Sequence, residues 1–190
     1  MPVSPPGIIG AIVPSLVSCA CIGVGTPKYA NGVAQGLVRW IPLVKVTTVD
    51  GGTAGVGTNV PLPLIVPTPL LYANLLSGML SQGFHGIMMP AFVSGLSTGL
   101  AISFFQMLIK TNHPVVGIGS GVARMQAPPA FAAISAGFSA AGMTGPGSVR
   151  AARALASGLD RTFASLLIPI AIVGPPSVSP GVGVGFGSIL

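Results

Sequence analysis

Ala30-Asn31-Gly32-Val33-Ala34-Gln35-Gly36-Leu37 is echoed by Val93-Ser94-Gly95-Leu96-Ser97-Thr98-Gly99-Leu100 and by Ala156-Ser157-Gly158-Leu159-Asp160-Arg161-Thr162-Phe163. The lead glycines Gly32, Gly95 and Gly158 fall 63 residues apart. Even spacing of this kind reads as copies of one unit, and internal repeats build stacked or ring-like architectures. In the first two stretches the glycines lie four apart. That puts both on one helix face and lets another backbone come close, the small-xxx-small arrangement. In the third stretch the pair is Gly158 and Thr162. Gly32, Gly36, Gly95, Gly99, Gly158 and Thr162 are therefore the candidate helix-packing and assembly residues.

Outward from these motifs, each unit carries the same parts in order. A proline-bearing start (Pro5-Pro6, Pro67-Thr68-Pro69, Pro128-Pro129) suits the first turn of a helix, where the missing N–H loses nothing. A short apolar segment follows: Ile8 to Ala20, Leu70 to Leu80, and Ala130 to Ala141. A glycine-containing turn comes next, then a second helix with the Gly-Leu motif, roughly Lys28 to Leu43, Ala91 to Lys110 and Val149 to Leu167. Glycine-rich tracts close the units at 55–57, 117–121 and 181–187. The third unit reads as having about four extra residues in its turn, near Pro146 to Val149, an insertion of the kind loops tolerate. The expected architecture is mostly α, a single domain over 1–190 made of three helical-hairpin repeats, about 1–60, 61–123 and 124–190. The alternative is α+β. Val44-Lys45-Val46-Thr47-Thr48-Val49 alternates and is β-branched, and Leu166 to Val173 is a second run that could be extended, with Pro169 inside it.

Composition narrows the class of protein. Only 5% of the 190 residues are charged, 51% are hydrophobic, and mean hydropathy is +0.86. A dispersed soluble domain needs roughly a quarter or more of its surface charged. Ten charged side chains cannot supply that, so lipid or other protein is expected to cover this surface. The net charge of +6 comes from scattered residues, with only Arg150, Arg153 and Arg161 approaching a patch. Nucleic-acid binders show a basic stripe with interleaved aromatics. Nucleic acid is therefore not expected as a specific partner.

A membrane helix needs about twenty consecutive apolar residues. The longest stretch without a charge, Gly51 to Ile109, is broken by Pro61, Pro63, Pro67, Pro69 and Pro90. Its best candidate, Ala91 to Ile109, carries Ser94, Ser97, Thr98, Ser103 and Gln106. A membrane-embedded or membrane-inserting protein stands as the alternative to an assembly part. At the N-terminus, Met1-Pro2-Val3-Ser4-Pro5-Pro6 lacks the basic region of a signal peptide.

Chemistry-bearing residues are sparse. Asp50 and Asp160, the only carboxylates, occupy different unit positions, so a paired acid–base site is not expected. His85 and His113 fall in turns. Cys19 and Cys21 are too close in sequence to close a disulfide easily, and no second pair completes a zinc site. The glycine tracts lack the Lys-Ser/Thr ending of a phosphate loop. The expectation is no enzyme, no cofactor, no metal and no small-molecule substrate.

One resemblance adds to this. Pro5-Pro6-Gly7-Ile8, the stretch Val46-Thr47-Thr48-Val49-Asp50-Gly51-Gly52-Thr53-Ala54-Gly55-Val56-Gly57, His113-Pro114 followed by Gly117-Ile118-Gly119-Ser120-Gly121-Val122-Ala123, and Ala136-Gly137-Phe138-Ser139-Ala140-Ala141-Gly142-Met143 are similar to small, very apolar virion structural proteins of contractile-tailed bacteriophages. The resemblance implies a virion component of the tail, baseplate or neck, with other virion proteins as partners in an oligomeric assembly. It carries no catalytic residues with it. A three-unit chain of that kind could mimic a threefold ring around the tail axis.

Overall fold

The structure is a computed structural model and describes residues 4–53, 56–61, 68–115, 118–164, 166–173 and 181–188. It is mostly helical. Helices α1 (Pro5–Ser18) and α2 (Gly25–Trp40) are followed by strands β1 (Lys45–Thr53) and β2 (Val56–Pro61). Helices α3 (Thr68–Ser81) and α4 (Met89–Phe105) are followed by β3 (Leu108–Val115) and β4 (Ile118–Arg124). Helices α5 (Ala127–Ala140) and α6 (Pro146–Thr162) are followed by β5 (Leu166–Val173) and β6 (Gly181–Ser188). The glycines at 55 and 117 and the prolines at 63 and 67 lie outside the described residues.

Proline sits within the first two residues of α1, α3 and α5, as the sequence suggests. Each of these helices also stops in the same way. Ala20, Gly83 and Gly142 take the left-handed conformation, with φ of 58°, 81° and 77°. The next N–H, of Cys21, Phe84 and Met143, reaches back to the carbonyl of Leu16, Met79 and Phe138 at 2.9, 3.2 and 2.9 Å. This closure satisfies carbonyls that a helix end leaves unpaired and reverses the chain.

Three second-helix boundaries differ from expectation. α2 ends at Trp40 and passes into a 3-10 turn, Ile41–Leu43. α4 ends at Phe105, so Lys110 belongs to β3, opposite Val122. α6 ends at Thr162, so Leu167 belongs to β5, also opposite Val122. The apolar runs past these ends are rich in Ile, Val and Thr, which fit a pleated surface better than a helix interior. The strands pair antiparallel in the order β2-β1-β6-β5-β4-β3, and the two edges of that order, β2 and β3, approach each other. Pro169 stands opposite Ser120 of β4, while the pairing of β5 with β6 begins at Ile170. A residue without an N–H is thus kept where β5 has only one neighbour.

The helices form a closed ring. α1 and α2, α3 and α4, and α5 and α6 are hairpins, and the hairpins join through α2 with α3, α4 with α5, and α6 with α1. One continuous core fills it. Leu37, Leu100 and Leu159 are fully buried, as are Val33, Leu96 and Leu155 on the second helices and Ile12, Leu75 and Ile134 on the first. Each fully buried side chain of this size stabilises by about 1.5–3 kcal/mol. Aromatic rings from different hairpins meet in two layers. Trp40 stands edge-on to Phe104 at 4.9 Å, with Phe163 tilted at 5.4 Å. Nearer the helix turns, Tyr29, Phe92 and Phe138 succeed one another at 5.9 and 5.5 Å.

Candidate assembly site: the helix crossings

The five expected packing glycines lie where hairpin meets hairpin. On α2, Gly32 and Gly36 face Gly78 and Leu75 of α3. A methyl group at Gly36 would stand 2.8 Å from the Leu75 Cα, and one at Gly78 would run into the Gly32 carbonyl oxygen. On α4, Gly95 and Gly99 face Gly137 and Ile134 of α5. A methyl group at Gly95 would stand 2.5 Å from the Gly137 carbonyl oxygen, and one at Gly99 equally close to the Ile134 Cα. Backbone therefore meets backbone at both crossings, which is the close approach that small residues four apart permit. Gly78 and Gly137, the receiving glycines on the first helices, escape the repeated motif because they sit outside it.

The third crossing shifts the register. Gly158 of α6 faces Ile12 of α1, with a methyl group there standing 2.9 Å from the Ile12 Cα. Ile12 holds the place of Leu75 and Ile134, so Gly158 answers to Gly36 and Gly99 rather than to Gly32 and Gly95. Matching positions are thus 63 and then 59 residues apart, as in Ile12, Leu75 and Ile134 or Ala20, Gly83 and Gly142. The stretch from the left-handed residue to the crossing glycine is 16 residues in all three hairpins. The four extra residues expected near Pro146 to Val149 are therefore not an insertion. The difference lies instead in a shorter passage from α4 to α5. Thr162 answers to Ser103, and both hydroxyls donate to the carbonyl four residues back, Gly158 at 2.9 Å and Gly99 at 2.7 Å. Thr162 lies one turn past the crossing glycine, while buried Ala154 holds the place of Gly32 and Gly95, and buried Ser15 that of Gly78 and Gly137.

Side chains add a polar seam to the first crossing. Asn31 Nδ2 donates to Gln82 Oε1 at 2.8 Å, Ser81 Oγ to Gln35 Oε1 at 3.0 Å, and Arg39 to Ser77 Oγ at 3.2 Å. The arrangement around Tyr29 is less well matched. Its hydroxyl is buried and finds no hydrogen-bond partner among the described residues. Burial, then the neighbouring Cys21, pushes its phenol far above the usual range. The Cys21 thiol is also raised, by burial and then by Cys19, with Arg150 acting against both.

Among the described residues the other chemistry-bearing side chains are not brought together. Among the described residues no group of three His, Cys, Asp or Glu could hold a metal ion. Cys19 and Cys21 are free thiols. Asp50 is in β1 and Asp160 in α6, and His85 lies in the turn before α4. No helix among the described residues is long and apolar enough to cross a membrane. Comparison with protein-family models, with curated proteins and with solved structures returned no match.

Proposed function

We propose that this chain is a non-enzymatic structural component of a bacteriophage virion, in the tail, baseplate or neck, built as three repeated helical-hairpin units about a pseudo-threefold axis. The observation that carries the reading is the ring of glycine-containing crossings. Each hairpin spends its small residues on the next hairpin, so the chain is organised around an axis rather than around a cleft. A ring of this kind suits a position on a tail axis against a trimeric or sixfold partner. The low charge supports the same reading. Large obligate interfaces are more hydrophobic than transient ones, and a surface with so few charges suits burial among partner subunits. The partners of this reading are other virion proteins, and no substrate or cofactor enters it.

Quantitative mass spectrometry of density-purified phage particles, set against host membranes, tests the proposal. Peptides of this chain that track tail proteins at a fixed ratio support it, and a ratio in threes or sixes places the chain on the axis. Peptides confined to the membrane fraction, absent from particles, would overturn it.

A further inference from the structure

The three helix turns lie at one end of the ring, because α2 with α3, α4 with α5, and α6 with α1 all run antiparallel. Contacts across the turns agree with this. Tyr29 meets Phe84 at 6.5 Å, and Ser18, Cys19 and Ala20 share a depression with Pro146, Arg150 and Arg153. That end is unusually apolar. Val24 and Ile87 are each 96% exposed, Ile22 is 77% exposed and Met88 62%. Between these tips lies a depression of about 490 Å³ whose walls include Leu16, Ile22, Tyr29, Phe84, Phe92 and Arg150, drawn from all three hairpins. Lys28, in the first turn of α2, and Arg150, in the first turns of α6, are exposed at the same end. Both carboxylates of the chain lie away from it, Asp50 in β1 and Asp160 in the last turn of α6.

We propose that this end docks onto the surface of an anionic lipid bilayer, with Ile22, Val24, Ile87 and Met88 entering the acyl boundary and Lys28 and Arg150 pairing with headgroup phosphates. The inference is independent of the virion reading. Two features choose the occupant. Cations beside an apolar tip, with no carboxylate to oppose them, match a negative lipid surface. The four projecting side chains are apolar and carry no ring, and Tyr29, Phe84 and Phe92 between them are only partly exposed, which suits hydrocarbon better than base stacking. Exposed apolar clusters of this kind mark interaction sites. A docked tip also requires no helix to cross the membrane, and none among the described residues is long enough to do so.

Vesicle flotation with the full chain tests this, using phosphatidylcholine vesicles with and without about one third phosphatidylglycerol. The expected result is flotation with the anionic vesicles, weakened by salt. Val24→Ser with Ile87→Ser should reduce binding tenfold or more. Lys28→Gln with Arg150→Gln should reduce it by about 25-fold, since each cation near such a surface is worth about fivefold. All four positions are exposed, and unchanged circular dichroism would show that the variants fold. Equal flotation with neutral vesicles, no flotation with either, or full binding by both double variants would overturn the proposal.

Discussion

The α4–α5 crossing and the α6–α1 crossing do the same job with different residues. At the first, Gly95 and Gly99 meet Gly137, and two backbones touch. At the second, only Gly158 remains, and Ala154 and Ser15 stand where the other glycines would be. The α6–α1 crossing is also the one that closes the ring, joining the first helix of the chain to the last. A methyl group at Gly158 would stand 2.9 Å from its nearest atom, against 2.5 Å at Gly95 and Gly99, so the closing contact is the less demanding of the two. Gly137→Ala sets the scale. The new methyl would strike the Gly95 carbonyl oxygen, and neither backbone can yield without moving its helix. Overpacking of this kind costs about 3 kcal/mol or more. For a chain of this size that lowers the thermal midpoint on the order of 10 °C. Gly158→Ala meets its nearest atom at 2.9 Å and gains about 1 kcal/mol of helix propensity, so its net cost should be about 1 kcal/mol. Thermal unfolding of the two variants under one condition decides the matter. Equal midpoints would show that the crossings are equally tight.

The hairpins differ next at the turn end. Tyr29 holds the place of Phe92, so the first hairpin carries a hydroxyl where the second has none. That hydroxyl is buried without a partner, a condition that costs about 1–3 kcal/mol. Tyr29→Phe should therefore stabilise the chain by about 1 kcal/mol. A second signature separates this from simple repacking. The folded phenol is raised, so its contribution is fully present below the unfolded phenol value of about 10 and is lost as pH rises beyond it. Wild type should lose stability above about pH 10 more steeply than Tyr29→Phe in denaturant titrations. Parallel curves would mean that the Tyr29 phenol ionises as easily in the folded chain as in the unfolded one.

Much of this architecture was legible in the chain because glycine at i and i+4 has few other uses on an apolar helix. Gly32, Gly36, Gly95 and Gly99 could be placed at close crossings from spacing alone. The receiving glycines, Gly78 and Gly137, could not, since one small residue on an apolar helix has no periodicity of its own. The third unit misled for a physical reason. Gly158 and Thr162 imitate the small pair of the other units, but the true pair is Ala154 and Gly158, one turn earlier. Alanine is small enough to pack there while looking like an ordinary helix former. The ends of α4 and α6 were overrun because an apolar run continues from helix into strand without a break in hydrophobicity. Only the β-branched content of Ile109 to Thr111 and of Ile168 to Val173 marks the change.

The helix stops give a third contrast. Gly83 and Gly142 take left-handed φ without cost, whereas Ala20 does so at φ 58° with a Cβ in the way. That conformation costs a residue with a side chain about 1 kcal/mol. Ala20→Gly, which makes the first hairpin match the others, should stabilise by a little under that, because glycine gives back some chain entropy on folding. A fall in the unfolding midpoint would show that the Ala20 methyl packs usefully in the depression beside Arg150, Val149 and Pro146.

The smallest effect separates a glycine held by contact from one held by nothing. Gly10 lies in α1 on an exposed face, and a methyl there would meet no atom within 4 Å. Gly10→Ala is the same chemical change as Gly137→Ala, one helix position type exchanged for another, yet the two should carry opposite signs. With no clash to offset it, the gain in helix propensity should stabilise the folded chain by up to about 1 kcal/mol. In the isolated chain this appears as a small rise in midpoint. Inside an assembly the sign can differ, because a partner seated on the outer face of α1 would turn Gly10 into a contact like Gly137. Comparing Gly10→Ala in the free chain and in the assembled state therefore reads out whether that face is covered. A rise in one and a fall in the other locates a partner on α1, and a rise in both leaves that face to solvent.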